Sequence, residues 1–125
     1  GLARLIASTP PRRPYLSRVA VRTGRRILLV DLRTIEWIDA ADNYVRLHAG
    51  AREYVLRETL ASLEQQLDPE LFVRIHRSVI VRIDRIQELQ PWFAGDYIVI
   101  LRDGRQLKLS RTYREALQSR MHRLA

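Results

Sequence analysis

The chain has 125 residues, which is enough for one domain that buries about two thirds of its unfolded surface without disulfide bonds. It contains no cysteine, which excludes thiol catalysis, zinc–thiolate sites and a disulfide framework and fits a reducing, cytoplasmic location, and no apolar run approaches the roughly 20 residues of a membrane-spanning helix. The formal net charge of +8 favours a polyanionic partner, and the positive charge is concentrated in residues 1–30, 71–82 and 104–125.

Residues 1–16 are predicted to be an interdomain linker, and residues 17–125 the folded domain. Pro10, Pro11 and Pro14 are closely spaced, which favours an extended, unpaired backbone. The chain also begins with glycine rather than methionine, which suggests a piece of a longer protein. We therefore expect an upstream domain that this chain does not include.

The first half of the folded part alternates apolar and polar residues, a pattern typical of half-buried β-strands. In the fourth strand, Val45 and Leu47 are expected to point inward, which leaves Tyr44, Arg46 and His48 on the opposite face. The predicted strands are residues 18–23, 26–31, 34–40, 44–49 and 53–57, with turns at Gly24, at Asp42 and Asn43, and at Gly50.

A short helix follows the fifth strand. Leu60, Leu63 and Leu67 are spaced to form one apolar stripe, Thr59 is placed to cap the N-terminus, and Pro69 ends the pattern. The stripe predicts a helix that packs against the core and carries no chemistry.

The segment 71–86, LFVRIHRSVIVRIDRI, interrupts its own alternation. As a half-buried strand pair it would place Arg77 on the apolar face, where an unpaired charge is costly. We therefore expect a turn or bulge that directs His76, Arg77 and Ser78 outward. The two expected faces are Val73, Ile75, Val79, Val81 and Ile83 on one side, and Arg74, His76, Ser78 and Arg82 on the other.

Three further strands and a helix complete the chain. Asp103 and Gly104 form a strong hairpin signal between two alternating runs. A final helical pattern begins at Ser110 or Thr112, where Thr112 with Glu115 matches a capping box. The predicted strands are residues 87–92, 97–102 and 105–109. The predicted fold is therefore mainly β, with about ten short, mostly antiparallel strands in packed sheets of sandwich or barrel type, one short internal helix and a C-terminal helix.

Enzyme interpretations find little support in the residues. His76 and Ser78 could form a base and a nucleophile, but residues i and i+2 of a strand lie about 6.6 to 7 Å apart unless a bulge shortens the distance. The histidines lack the spacing of a metal site, and no glycine-rich phosphate loop follows a strand. We expect no enzyme activity, no cofactor and no metal.

Polar side chains that bind DNA in other proteins recur at three breaks between predicted strands. Arginine can bind guanine, asparagine can bind adenine, and hydroxyls and histidine can reach phosphates or base edges. Each group also has an ordinary structural role, such as a turn former or a helix cap, and the three together favour a nucleic-acid interface. The candidate contacts are Asn43, Tyr44 and Arg46 in the first cluster, His76, Arg77 and Ser78 in the second, and Ser110, Arg111 and Thr112 in the third, with Arg74 as a further phosphate contact.

The runs IEWIDAADNYVRLH, ETLASLEQQL, FVRIHRSVIVRIDRIQEL and GRQLKLSRTYREAL occur in this order. Together they resemble the LytTR (LytR/AlgR-type) DNA-binding domain of bacterial response regulators, from about Arg18 to Leu117. The resemblance implies a domain of about ten strands that inserts inter-strand loops, rather than a recognition helix, into double-stranded DNA. It places Val45 and the three clusters at the interface. It further implies a transcription regulator of a two-component system that binds repeated half-sites as a homodimer, with an upstream receiver or sensor domain.

Two other functions are also compatible with the sequence. Sheet edges and arginine clusters could recognise an acidic protein partner. Alternatively, Tyr15, Tyr44, Trp92 and Phe93 could stack on single-stranded nucleic acid. The consecutive Trp92 and Phe93 argue against stacking, because they would face opposite ways if they lie on one strand.

Overall fold

A computed structural model describes residues 15–121 of the chain. Within this range the chain forms ten strands, two short α-helices and three 3₁₀ turns, which confirms the predicted mainly β fold. The strands are β1 (Arg18–Thr23), β2 (Arg26–Asp31), β3 (Trp37–Ala41), β4 (Tyr44–Ala49), β5 (Arg52–Leu56), β6 (Phe72–His76), β7 (Val79–Arg82), β8 (Ile86–Pro91), β9 (Tyr97–Leu101) and β10 (Gln106–Leu109). The helices are α1 (Leu60–Gln66) and α2 (Arg114–Gln118), and the 3₁₀ turns are Leu32–Thr34, Ile83–Arg85 and Arg111–Tyr113.

The strands form three antiparallel sheets, with a five-stranded sheet of order β5-β4-β3-β7-β6 between the other two. One face of this sheet packs against the β1-β2 hairpin and α1, through a core that includes Ile38, Leu47, Leu63 and Ile80. The opposite face packs against the β10-β9-β8 sheet and α2. The domain therefore has three layers and two apolar cores.

This arrangement corrects the expected burial of segment 71–86. The turn was predicted correctly, because β6 and β7 are joined by a tight turn at Arg77 and Ser78, next to an irregular register between Arg74 and His76. The pair is not half-buried, however. Phe72 and Ile80 lie on the face that was expected to be polar and are 5% and 1% exposed, because the central sheet is covered on both sides.

The cap predictions had different outcomes. Thr59 accepts a hydrogen bond from the Ser62 backbone N–H at 3.1 Å, which confirms it as the N-cap of α1. At the C-terminus the predicted capping box is wrong. The chain first forms the 3₁₀ turn Arg111–Tyr113, and Tyr113 occupies the N-cap of α2 without a side-chain hydrogen bond. The strand predicted at residues 34–40 begins only at Trp37, because Leu32–Thr34 forms a 3₁₀ turn that Asp31 caps.

Residues 1–14 of the predicted linker lie outside the described residues, so the boundary at residue 16 stays a prediction. Leu16 itself contacts the domain, since its N–H donates to the Gln66 carbonyl at 2.9 Å and its side chain packs against the first core. Between residues 15 and 121, no helix has the length and apolar character needed to cross a membrane.

Candidate nucleic-acid interface

The three predicted clusters meet at one end of the central sheet, called here the loop end. The first loop is Asp42 and Asn43 between β3 and β4, the second is Arg77 and Ser78 between β6 and β7, and the third is residues 110–112 after β10. The Ala40 N–H donates to the Ser78 carbonyl at 2.9 Å, and the Ser110 N–H donates to the Ile75 carbonyl at 2.9 Å. One main-chain hydrogen bond thus connects the second loop to β3 beside the first loop, and the other connects the third loop to β6 beside the second.

The first loop exposes polar groups and hides an apolar one. Asp42 has φ +52, in the left-handed region that aspartate and asparagine tolerate better than most residues, and this conformation lets the chain reverse tightly. Asn43 is exposed and Tyr44 is half-buried. Val45 is fully buried in the first core, so the contact that the resemblance assigned to it has no support in the fold.

Arg46 lies on β4 beside the first loop, and Asp39 holds its guanidinium. Nε and one terminal nitrogen bond the two Asp39 carboxylate oxygens at 3.2 and 2.5 Å, and this pairing raises the pKa of Arg46 above its ordinary value. His48 Nε2 lies 2.8 Å from the same carboxylate, and its ring stacks on Trp37 at 3.8 Å between centroids. Arg46 is therefore fixed in direction, with only part of its donor set left for a ligand.

In the second loop, His76 and Ser78 contact each other, contrary to the separation expected for one strand. The turn brings Ser78 Oγ to 3.0 Å from His76 Nδ1, and the Ser78 backbone N–H donates to the same nitrogen at 3.2 Å. An accepting Nδ1 carries no proton, so the ring donates from Nε2.

The charge state of His76 follows from its surroundings. Burial lowers the pKa of His76 below its ordinary value of 6.5, and the cations of Lys108, Arg77 and Arg74 lower it further. The ring is therefore neutral at pH 7. Because Nδ1 is already used by Ser78, a hydrogen bond from Nε2 is what this side chain can offer a phosphate or a base acceptor.

Arg74 braces the second loop from behind. Its guanidinium bonds the His76 carbonyl at 3.1 Å, the Arg77 carbonyl, and Glu64 at 2.7 Å, and its side chain is 15% exposed. Its phosphate contact stays a prediction, and these bonds favour a supporting role. By contrast, the Arg77 side chain is exposed, and no acidic partner lies within salt-bridge distance of it among residues 15–121.

The third loop is anchored through its main chain. The Arg111 N–H donates to Asp96 Oδ1 at 2.8 Å, and Lys108 Nζ lies 3.3 Å from Asp96 Oδ2. The Arg111 N–H, and then Lys108, lower the pKa of Asp96, so the carboxylate stays ionised. Asp96 bonds the main chain of Arg111, and the side chains of Arg111 and Thr112 are both exposed.

Sequence reasoning missed two contributors to this end of the molecule. Lys108 faces the second loop strongly enough to affect the pKa of His76, and the β8-β9 loop, residues 92–96, supplies the carboxylate that anchors the third loop. Alternation along β10 could have placed Lys108 on the outer face. No local pattern could have paired Asp96 with Arg111, which lies 15 residues later in the chain.

A β domain that presents exposed arginines, a neutral histidine and amides on loops braced at one end has the composition of a nucleic-acid-binding module. No group of acidic or histidine side chains that could hold a metal ion occurs in the described part of the chain. The model of one protein family, the LytTr DNA-binding domain, matches residues 25–122, and the chain belongs to this family. The resemblance found in the sequence is thereby confirmed.

Relatives and a solved structure agree with this assignment. The chain is 33% identical over 105 residues to the sensory transduction protein LytT of Bacillus subtilis, covering 84% of this chain and 44% of that protein. It is 32% identical over 93 residues to the transcriptional regulatory protein LytR of Staphylococcus aureus, covering 74% and 38%. The chain thus spans less than half the length of these curated relatives. A Bacillus cereus structure, described as the LytTr DNA-binding domain of a methyl-accepting/DNA response regulator, shares the fold at TM-score 0.75 and 21% identity, covering 83% of this chain and 95% of that one.

Proposed function

We propose that this chain is the sequence-specific, double-stranded DNA-binding output domain of a bacterial transcription regulator of the response-regulator type. The observation that carries the proposal is the loop end itself, where main-chain hydrogen bonds connect the segments that carry the three loops and where Arg77 and Arg111 are exposed. Family membership and the relatives named for sensory transduction and transcriptional regulation support it. The names of the family and of these relatives describe DNA binding, sensory transduction and transcriptional regulation rather than an enzyme, and we propose no catalytic activity.

The roles of the side chains follow from their chemistry. Arg77 and Arg111 can each bind guanine O6 and N7 or a phosphate, because both side chains are exposed and neither forms a salt bridge among residues 15–121. Asn43 can pair with adenine, and His76 donates from Nε2 to a phosphate. Arg46, held by Asp39, presents its remaining N–H groups in a fixed direction. Tyr44, Ser78, Ser110 and Thr112 supply further hydroxyl contacts.

A single domain of this size offers only a small interface and should bind weakly alone. We propose that two copies bind repeated half-sites and that an upstream receiver or sensor domain brings them together. The proposal is supported by the fact that this chain covers 44% of the relative from Bacillus subtilis, which leaves room there for another domain.

Selection from random duplex DNA tests the proposal. The purified chain should enrich one motif, and anisotropy titrations with that motif should show at least a hundredfold preference over scrambled duplex at physiological salt. A pair of motifs at constant spacing would support two copies. Salt-sensitive binding with no enriched motif would instead indicate non-specific charge attraction or an acidic protein partner, and would contradict the proposal.

A further inference from the structure

The loop between β8 and β9, residues 92–96, carries two exposed aromatic side chains. Trp92 is 52% exposed and Phe93 is 70% exposed. Their rings are not on opposite faces of a strand, because β8 ends at Pro91, and the ring centroids lie 5.3 Å apart at an angle of 34°. The loop therefore presents one joined aromatic surface to solvent.

The loop is rigid. The Trp92 N–H donates to the Asp96 carbonyl at 2.9 Å, and the Asp96 N–H donates to the Phe93 carbonyl at 3.2 Å. Ala94 and Gly95 take positive φ values of +60 and +82, and for alanine this is a strained conformation of the kind that concentrates at functional sites. A fixed loop loses little conformational freedom when it binds, which favours an aromatic surface built for contact.

The same loop is attached to the third loop of the DNA interface. Asp96 accepts from the Arg111 N–H, Arg114 donates to the Gly95 carbonyl at 3.3 Å, and a Cβ on Gly95 would lie 3.2 Å from Arg111 Cδ. The aromatic pair is therefore a neighbour of a side chain proposed to contact DNA.

The surrounding charge favours DNA over an apolar protein surface as the partner. Lys108, Arg111 and Arg114 lie around the loop, and Asp96 is the acid that the loop itself contributes, already bound to Lys108 and to the Arg111 main chain. Apolar side chains next to cations are the arrangement with which proteins wedge open a base step and kink the duplex.

We propose that residues 92–96 form a fourth DNA-binding loop, in which Trp92 and Phe93 wedge against a base step next to the groove bound by Arg111 and bend the duplex. This inference rests on the proposed DNA-binding function. It adds a contact that reads the deformability of the DNA rather than the hydrogen-bonding groups of its bases.

The double variant W92A/F93A tests the wedge. On the selected duplex, its affinity should fall roughly ten- to hundredfold, because one stacked ring contributes about that much, and the DNA bend measured by energy transfer between dyes at the duplex ends should disappear. W92F should retain most of the affinity and the bend. Wild-type tryptophan emission should change on binding, and this change should be largely lost in W92F.

The variant I27A/L29A is the matched control, because Ile27 and Leu29 on β2 are likewise exposed apolar residues, at 59% and 63%. It should change affinity less than twofold. Circular dichroism melting checks that both double variants fold. If W92A/F93A binds and bends DNA like the wild type while Arg111→Ala binds weakly, the wedge is refuted and the DNA-binding function stands. If the wild-type chain selects no motif, the proposed function fails first.

Discussion

Replacing Arg77 by alanine removes an exposed candidate contact without removing a structural bond of its side chain. The side chain is exposed, and the structural bond of this residue, to the Arg74 guanidinium, uses the main-chain carbonyl that alanine keeps. A bidentate base contact contributes about 1 to 3 kcal/mol, so the dissociation constant for the selected duplex should rise roughly 5- to 150-fold at 25 °C. The slope of log affinity against log salt should become shallower by about 1 if the side chain instead binds a phosphate.

Fluorescence anisotropy with the selected duplex and its single-base variants measures both outcomes. A base contact removes the preference at one position, whereas a phosphate contact weakens all sequences alike. Arg52→Ala is the matched control, because Arg52 is exposed and pairs with Ala49 at the far end of β4 and β5 from the loop end. Surface charges beyond about 8 Å are screened at physiological salt, so the control should bind within about twofold of the wild type. An unchanged Arg77→Ala affinity, or equal losses in both variants, would refute the reasoning.

Three further predictions concern the support of the interface. Asp39→Ala frees the Arg46 side chain, so the affinity for the selected duplex should fall severalfold while the affinity for non-specific DNA rises. The ratio of specific to non-specific affinity should therefore fall. Asp84→Ala removes another acid paired with an arginine and should leave this ratio unchanged. The pKa of His76 is lowered in the folded state. Below about pH 6.5, His76 therefore binds a proton more readily in the unfolded chain than in the folded chain, and the free energy of unfolding should decrease as the pH is lowered. Urea titrations should show that His76→Gln lacks this component, and an identical pH profile would contradict the assignment. Leu63→Ala should lower the free energy of unfolding by about 2 to 5 kcal/mol, because Leu63 is fully buried. The variant should still select the same DNA motif. A loss of less than about 1 kcal/mol in urea titrations would contradict this packing role.

Alternation was sufficient to predict most of the strands, because a covered sheet face requires apolar residues at every second position. It was insufficient for β6 and β7. There Arg74 and Arg82 occupy the same face as the buried Phe72 and Ile80, and the charges made that face look solvent-exposed. Arg74 is held by Glu64 on α1, and Arg82 is held by Asp84 two residues later and by main-chain carbonyls of the 3₁₀ turn Leu32–Thr34. The partners on α1 and in the 3₁₀ turn come from other segments, which a local pattern does not reveal.

The candidate interface was predictable where a pattern breaks and unpredictable where the fold supplies a partner. Arg77 interrupts the alternation of its own segment, which marked the second loop in the sequence. The contact between His76 and Ser78 depends on the geometry of the turn, and the pairing of Arg46 with Asp39 depends on the register of β3 and β4. Neither can be read from spacing along the chain alone.

Two of the hydrogen bonds that hold the loop end together are formed entirely by main-chain atoms. The Ala40 N–H donates to the Ser78 carbonyl, and the Ser110 N–H donates to the Ile75 carbonyl. Every residue except proline carries both of these main-chain groups. These two connections therefore do not depend on which side chains the loops present. We expect that a new target site can be selected by exchanging exposed residues such as Asn43, Arg77 and Arg111 on an unchanged backbone, so the promoter specificity of this domain can diverge, or be engineered, without a new fold.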